Sequence, residues 1–317
     1  MKKCLIITTI NKENESLNKF SQTDYDLIIV GDLKSPKDYK INCVYLDVNK
    51  QKEIYPKFSK KLPYNHYSRK NIGYLYAIKN GYDIIAESDD DNIPYDFWGK
   101  IPTDSKKTII SPQYPNIYKL FTNINMWPRG FPLNKILSNE EIETKERNNN
   151  VMIWQGLSDG NPDVDAIYRL TNNIDNIKFK ENQIVLDKNI LSPFNTQNTI
   201  WMNKKVFPFL YLPSTVSFRF TDILKSYVAQ CYLWKINGRL GFTGPTAYQI
   251  RNEHNLMKDF EDEHEMHINF DKIMDIIFNI NLSGTEQDLI IIYEELLKKK
   301  IVKKVELKCI EEWLKLI

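Results

Sequence analysis

The sequence has few cysteines and no long apolar run. Its four cysteines, Cys4, Cys43, Cys231 and Cys309, lie far apart and form no C-x-x-C pair, which argues against a disulfide framework and a zinc ribbon. No stretch approaches the roughly 20 apolar residues of a membrane span, and the apolar part of Met1–Ile10 is too short for a signal peptide. We therefore expect a cytoplasmic protein in a reducing compartment.

Three common nucleotide or catalytic motifs are also absent. The chain contains no G-x-x-x-x-G-K-[ST], no G-x-G-x-x-G and no G-x-S-x-G, which excludes a P-loop, a dinucleotide fingerprint and a hydrolase elbow. Its 43 basic residues nearly cancel its 41 acidic residues, which argues against a nucleic acid as partner. The function must therefore be carried by another feature of the chain.

The stretch Ile84–Pro94 places three consecutive aspartates after a short apolar run. Asn92 and Pro94 are expected to end that strand, and strand ends form the ligand crevice of an open α/β sheet. Carboxylates there suit Mg²⁺ or Mn²⁺. Because alternate residues point the same way, the metal is assigned to Asp89 and Asp91, and Asp90 to contacts with a donor substrate. A solvated acidic loop is the alternative.

The order of elements predicts an α/β fold with a mostly parallel sheet flanked by helices, followed by a helical C-terminal appendage. The domain prediction is 1–250 for the sheet domain, with halves at about 1–111 and 112–250, and 251–317 for the helical region. The N-terminal strands and helices are expected at Leu5–Ile10, Tyr25–Val30, Cys43–Leu46, His66–Asn80, Tyr95–Lys100 and Thr108–Ser111.

Four residues near the first strands and the first long helix are candidates for binding a nucleotide. Thr9 follows the first strand and could contact a base or ribose, and Asp32 follows the second strand, where a carboxylate can accept ribose hydroxyls. Arg69 and Asn71 fall in the first turn of the helix, where a diphosphate would explain the unusual cations. Ordinary turn chemistry and a solvated basic turn are the alternatives.

Later in the chain, three aspartates are candidates for catalysis. Asn161 and Pro162 predict a helix start that puts Asp163 and Asp165 in its first turn, where carboxylates are also favoured for structural reasons. Asp222 falls in the first turn of a helix predicted within Val216–Trp234.

Four further segments after residue 111 have patterns that predict their structure. Pro112–Asn150 is expected to be an irregular excursion, and Leu240–Thr243 and Thr246–Gln249 two short strands. The amphipathic order of Ile301–Ile317 favours a helix packed on its own domain, with a peripheral membrane contact as the alternative.

Six segments together resemble the STELLO family of glycosyltransferases and, more distantly at the aspartates, the reversibly glycosylated polypeptides. They occur in family order within roughly Cys4–Tyr248. The segments are G-D-L-K-S-P at Gly31–Pro36, R-K-N-I-G-Y at Arg69–Tyr74, D-D-D-N at Asp89–Asn92, Q-G-L-S-D-G-N-P-D-V-D-A-I-Y-R-L at Gln155–Leu170, P-F-N-T-Q-N-T at Pro193–Thr199 and R-F-T-D-I at Arg219–Ile223.

The resemblance implies a GT-A-like nucleotide-sugar domain with an Asp-x-Asp metal site, completed in many such enzymes by a late histidine, here His254. The predicted function is a Mn²⁺- or Mg²⁺-dependent transfer of a sugar from a nucleotide-sugar donor to a glycan or lipid-linked glycan, in surface-polysaccharide assembly. Asp222 is the first choice for a base in an inverting transfer, and Asp163 and Asp165 are its rivals. A nucleotide-sugar mutase, a nucleotidyltransferase and a catalytically silent binding protein are the alternatives.

Overall fold

The centre of the molecule is a β-sheet that draws strands from most of the chain. The computed structural model describes residues 1–102, 106–174, 176–252 and 255–317. Within these ranges eleven strands join the sheet. They are β1 (Lys3–Thr8), β2 (Asp26–Val30), β3 (Val44–Leu46), β4 (Ile84–Ser88), β5 (Asn92–Pro94), β6 (Lys107–Ser111), β7 (Glu143–Glu146), β8 (Val151–Gly160), β9 (Gln183–Leu186), β10 (Asn198–Trp201) and β11 (Arg239–Gln249).

Helices cover the sheet and form the C-terminal part of the chain. In the same ranges the α-helices are α1 (Glu15–Phe20), α2 (Val48–Ile54), α3 (Pro56–Lys61), α4 (Asn71–Lys79), α5 (Ala166–Thr171), α6 (Thr221–Lys235), α7 (Leu256–Ile268), α8 (Phe270–Asn279), α9 (Asp288–Lys298) and α10 (Lys304–Leu316). Short 3₁₀ segments occur at Tyr67–Lys70, Ile117–Leu120, Leu133–Lys135 and Lys204–Leu210.

The sheet has a parallel part and a mixed part. Its order is β3-β2-β1-β4-β10-β8-β11-β9-β6-β7, and β5 pairs with β11 beside this path. The ladders β3-β2, β2-β1 and β1-β4 are all parallel, whereas β10 is antiparallel to both of its neighbours. All five residues of β4 are buried, as expected where helices cover both faces. The predicted α/β sheet flanked by helices is confirmed.

The parallel part brings three strand ends to one edge. Thr8 of β1 lies opposite Val30 of β2, and Ile6 of β1 lies opposite Glu87 of β4. The residues that follow β1, β2 and β4 therefore emerge side by side, at the place where open α/β sheets bind ligands.

The segment after β4 differs from the prediction. Asn92 and Pro94 do not end the extended chain, because they belong to β5, in which Ile93 lies opposite Tyr248 of β11. The three aspartates form the turn between β4 and β5, closed by a hydrogen bond from the Asn92 N–H to the Asp89 carbonyl at 3.3 Å. The short helix predicted at Tyr95–Lys100 is absent, and that segment is a turn after β5.

Two predictions in the second half are corrected by strand length. β8 continues to Gly160, so the helix predicted from Asn161 begins only at Ala166, and Asp163 and Asp165 precede it. The two strands predicted before Ile250 are one strand, β11, whose register against β8 shifts around Pro245. The local sequence patterns predict which residues are extended. The ends of β8 and β11, however, are determined by the pairing of these two strands with each other.

The C-terminal helices pack into the same hydrophobic core as the sheet. α7 contacts α5, α8 and α9 contact α6, and α10 contacts α3. Ile273, Ile292 and Trp313 are completely buried, and the Trp313 indole donates a hydrogen bond to the Pro208 carbonyl at 3.0 Å. The apolar side of α10 is therefore used inside the protein. No helix in the described ranges is long and apolar enough to cross a bilayer.

Candidate active site

A cavity of about 620 Å³ opens at the edge where β1, β2 and β4 end. Such a volume suits a ligand of nucleotide-sugar size. Eight of the residues singled out from the sequence line this cavity: Thr9, Asp32, Arg69, Asp89, Asp90, Asp91, Asp163 and Asp222. Asn71 and Asp165 are not among the lining residues, and His254 lies outside the described residues.

The three aspartates of the β4–β5 turn have different surroundings. Asp89 accepts a hydrogen bond from the Tyr67 hydroxyl, and its Oδ1 lies 3.4 Å from the Lys70 ammonium. Asp91 accepts hydrogen bonds from Gln249 Nε2 and from Asn92 Nδ2, each at 3.0 Å. Asp90 turns to the end of β1, where it accepts from the Thr9 hydroxyl and from Asn11 Nδ2 at 2.9 Å. The turn thus separates Asp90 from its two neighbours.

The electrostatics of the turn disfavour two negative charges. Burial raises the pKa of Asp89, although Lys70 and the Tyr67 hydroxyl oppose the rise. Burial and the charge of Asp89 together raise the pKa of Asp91 to about 7. An added cation between these carboxylates would stabilise both ionised forms, because an opposite charge nearby favours the charged state.

The donor atoms at the turn fit a hard divalent cation. The described ranges contain no group of three or more His, Cys, Asp or Glu side chains that could hold a metal ion, so Asp89 and Asp91 would need other ligands. The Gln249 side chain is 7% exposed, and its Oε1 is buried without a hydrogen-bond partner in the described part of the chain. Mg²⁺ is commonly bound by one or two carboxylates together with substrate phosphates, which this donor set allows.

Asp32 and Thr9 hold the loops that frame one end of the cavity. Asp32 Oδ2 accepts a hydrogen bond from the Asn65 N–H at 2.8 Å, and Oδ1 accepts from the Leu33 N–H at 2.7 Å. Thr9 Oγ1 accepts from the Asn11 N–H at 2.9 Å. Both side chains therefore stabilise turns through hydrogen bonds to backbone N–H groups, as the alternative interpretation of the sequence expects. Both also line the cavity.

Arg69 and Asn71 have structural partners, which corrects the role predicted for the start of the helix. Arg69 is 1% exposed, and its guanidinium donates to Gln51 Oε1 at 3.0 Å and to the backbone carbonyls of Ser59 in α3 and of Leu62 just after it. Asn71 exchanges two hydrogen bonds of 2.8 Å with the backbone of Leu212. The helix start lies under neighbouring segments, so protein carbonyls satisfy the donors that were assigned to a diphosphate.

Arg129 joins two of the three candidate catalytic aspartates. Its guanidinium lies 2.9 Å from both carboxylate oxygens of Asp163 and 2.9 Å from both of Asp222. Burial opposes ionisation of Asp163, but Arg129 outweighs it, so the pKa of Asp163 lies well below its usual range. Sequence reasoning missed Arg129, which lies in the irregular excursion, since nothing local distinguishes it from a solvated arginine.

Asp165 is a helix cap rather than a cavity residue. Its Oδ1 accepts the Tyr168 N–H at 2.8 Å at the start of α5, and its Oδ2 accepts from the Trp127 indole at 2.6 Å. Burial raises the pKa of this carboxyl. The catalytic role predicted for Asp165 is therefore not supported by its position, because both oxygens face structural partners.

A completely buried ion pair links the two acidic ends of the cavity. Lys225 lies one helical turn after Asp222 on α6, and its ammonium contacts Glu87 Oε1 at 2.6 Å. Glu87 belongs to β4, two residues before Asp89. The sequence offered no signal for this pair, because its partners are 138 residues apart.

Comparisons with known proteins find two similar curated sequences and 19 similar chains of solved structures. No family model matches the chain. The Arabidopsis thaliana protein named Probable glycosyltransferase STELLO1 is 28% identical over 332 aligned residues, which cover 90% of this chain and 43% of that protein. Probable glycosyltransferase STELLO2 of the same plant is 29% identical over 274 residues, covering 79% of this chain and 35% of that protein.

These two similarities confirm the resemblance to the STELLO proteins, and the chain spans less than half the length of either. One of the similar solved structures is S. aureus TarS 1-349 in complex with UDP-GlcNAc. It has a TM-score of 0.42 and 13% sequence identity, and the match covers 100% of this chain and 79% of that chain.

Proposed function

We propose that the chain is a GT-A-like glycosyltransferase domain that moves a sugar from a nucleotide-sugar donor to a hydroxyl of a glycan or lipid-linked glycan. One observation carries the proposal. Asp89 and Asp91 line a cavity at the ends of parallel strands, and burial raises the pKa of both carboxyls. Such a pair favours binding of a divalent cation together with an anionic ligand.

Asp89, Asp91 and the amide oxygen of Gln249 are the residues that would hold Mn²⁺ or Mg²⁺. When bound, the ion would neutralise the charge that builds on the nucleoside diphosphate leaving group. Tyr67 and Lys70 orient Asp89, and Gln249 Nε2 orients Asp91. Thr9 and Asn11 hold Asp90 toward the side of the cavity that also contains Asp32. We assign this side to the nucleoside.

Asp222 is the residue that we assign to the acceptor hydroxyl. It lines the cavity, and Arg129 fixes its orientation by contacting both carboxylate oxygens. In an inverting transfer this carboxylate takes the proton of the acceptor hydroxyl as the oxygen attacks the anomeric carbon. Asp163 shares Arg129 and is the nearest substitute, whereas Asp165 is excluded from this role by its cap contacts.

The setting that we propose is surface-polysaccharide assembly on the cytoplasmic side of a membrane. The cysteines support a reducing compartment, because Cys4, Cys231 and Cys309 are buried free thiols. The donor sugar, hexose or pentose, has to be identified by experiment.

A thermal-shift panel tests the proposal. Nucleotide sugars and free nucleoside diphosphates are added with Mn²⁺, with Mg²⁺ and with a chelator, and a ligand at about 100 times its Kd raises the free energy of unfolding by about 2.7 kcal/mol. We expect one nucleoside diphosphate and its sugars to stabilise the protein only with metal. Equal stabilisation with chelator removes the metal from the proposal, and no stabilisation by any of these ligands removes the function.

Product analysis with the stabilising donor completes the test. Transfer to an acceptor, or slow hydrolysis without one, supports a transferase. A rearranged donor identifies a mutase, and pyrophosphate released from the matching nucleoside triphosphate and a sugar 1-phosphate identifies a nucleotidyltransferase.

A further inference from the structure

Seven lysines, six exposed and one half-buried, lie on or next to two packed helices and form a surface that we call the lysine face. Helix α10 contacts α3, and the Phe58 and Trp313 rings meet at 6.1 Å between their centroids. Phe58 and Trp313 are buried, whereas the lysines on these two helices are exposed or half-buried. The lysine face consists of Lys57, Lys60 and Lys61 around α3 and of Lys300, Lys303, Lys304 and Lys308 around the start of α10.

The positive charge of the lysine face is not neutralised by the protein. The neighbouring Lys298 and Lys299 contact Glu295 and Asp275 at 2.6 and 3.2 Å. In contrast, the seven lysines of the face have no ion-pair partner within the described part of the chain. Because the whole chain carries a net charge of only +2, this face concentrates positive charge that the rest of the surface does not share.

The lysine face adjoins the mouth of the cavity. The Lys303 N–H donates to Thr215 Oγ1 at 3.1 Å, and three residues later Phe218 lines the cavity. On the other side α3 leads to Tyr64 and then to Asn65, a cavity residue. Phe218 and Tyr64 are 48% and 37% exposed. Two exposed aromatic rings therefore lie in the segments that connect the lysine face to the cavity.

We propose that the lysine face docks the protein on an anionic lipid bilayer, with the cavity mouth beside the membrane surface. Each lysine near an anionic leaflet strengthens binding roughly fivefold, and the attraction is screened over about 8 Å at physiological salt. Tyr64 and Phe218 have the ring type that suits the interface between headgroups and acyl chains. The contact is peripheral, because the apolar side of α10 is buried in the core.

This docking is independent of the proposed transfer reaction. The lysine face contains no residue that lines the cavity, and binding to lipid requires neither metal nor nucleotide. The inference can fail while the proposed function holds, and it can hold while the proposed function fails.

Vesicle sedimentation tests the docking with the full chain. Vesicles of phosphatidylcholine alone are compared with vesicles that also contain phosphatidylglycerol, at low and at high salt. We expect binding to the mixed vesicles at low salt only. The variant Lys300→Gln, Lys303→Gln, Lys304→Gln should weaken this binding roughly 100-fold, since three fivefold steps are lost.

A matched variant controls for loss of charge in general. Lys107→Gln, Lys145→Gln, Lys188→Gln removes three exposed lysines at the other edge of the sheet, and it should bind the mixed vesicles like the parent. Both variants should keep the parent's metal-dependent thermal shift. No binding to the mixed vesicles at low salt overturns the docking, as does equal weakening in both variants. Tighter binding of a DNA duplex to the lysine face than of lipid also overturns it.

Discussion

The two acidic ends of the cavity use the same residue type in opposite electrostatic states. At the β4–β5 turn, the nearest cation to Asp89 is Lys70 at 3.4 Å, and Asp91 has a pKa of about 7. At the other end, Arg129 contacts all four carboxylate oxygens of Asp163 and Asp222, and the pKa of Asp163 lies well below its usual range. Arg129 therefore contacts both carboxylates at one end of the cavity, whereas at the other end Lys70 contacts only Asp89 and Asp91 has no ion-pair partner in the described part of the chain.

The substitution Asp91→Asn should have the largest effect, and it tests whether the β4–β5 turn binds a metal ion. The change keeps the shape of the side chain and removes one of the two metal-binding carboxylates, so we expect transfer to fall by roughly 10³-fold and the metal-dependent thermal shift to disappear. Steady-state kinetics over a range of Mn²⁺ concentrations measure the first, and thermal shift the second. Asp96→Asn, in the exposed turn after β5, is the control and should behave like the parent. Undiminished metal-dependent donor binding in Asp91→Asn would refute the metal assignment.

Asp222→Asn tests the proton acceptor. We expect kcat to fall roughly 10²- to 10³-fold, which is the usual range for loss of a general base. The donor should still stabilise the variant with metal, because the β4–β5 turn is unchanged. Asp271→Asn, in the first turn of α8 and exposed, should leave kcat unchanged. A fully active Asp222→Asn enzyme would exclude Asp222 from the mechanism.

Arg129→Met tests the counter-charge itself. Removing the arginine leaves two buried carboxylates unpaired, which should lower the free energy of unfolding by about 3–5 kcal/mol. Arg147→Met removes a solvent-exposed partner of Asp187 and should cost at most about 1 kcal/mol. Urea unfolding measures both, and similar losses would show that Arg129 contributes no more than a surface ion pair.

The pH dependence of stability gives a second test of Arg129. The folded pKa of Asp163 lies below its unfolded value of about 3.9. Its contribution to stability is therefore fully present above about pH 4 and is lost as the pH falls through the folded pKa. In Arg129→Met the buried carboxylate loses its partner, so its folded pKa should rise. Stability should then decrease as the pH is raised, which is opposite to the parent, and urea unfolding at several pH values measures the sign.

The smallest effect is expected for substitutions of Asp165, which belongs to neither acidic end of the cavity. Asp165→Ala removes the cap of α5 and should lower the free energy of unfolding by about 1 kcal/mol. Asp165→Asn keeps one accepting oxygen, which can serve Tyr168 or Trp127 but not both, and should recover part of that loss. Neither change should alter kcat at temperatures below unfolding, and a large fall in kcat for Asp165→Asn would return this residue to the mechanism.

Much of the β4–β5 turn could be predicted from the sequence because its signal is local. A short apolar run followed by three aspartates puts carboxylates at a strand end whatever the rest of the chain does. The Arg129 cluster could not be predicted, since its partners are 34 and 93 residues away and no local pattern links them. Asn71 shows the same limit, because its hydrogen-bonding capacity is taken up by Leu212, 141 residues later.

The errors in predicting the fold from the sequence have the same origin. The start of α5 was predicted too early because Asn161 and Pro162 are good residues for a helix start, whereas pairing of β8 with β11 extends the strand to Gly160. Asn92 and Pro94 are expected to stop the extended chain after the aspartates, but both lie in β5, where Pro94 is the last residue and pairs with Ala247. In both cases a long-range partner changed the outcome that local preferences indicated.

The buried pair of Lys225 and Glu87 sets a fixed spacing between the two chemical ends of the cavity. Moving α6 relative to β4 would separate two fully buried charges, at a cost of about 3–5 kcal/mol. We therefore expect the distance from Asp222 to the pair Asp89 and Asp91 to stay the same whichever substrate is bound. Adaptation to different sugars must come from the surrounding loops, so an attempt to change the donor or acceptor should begin with the loops and leave α6 untouched.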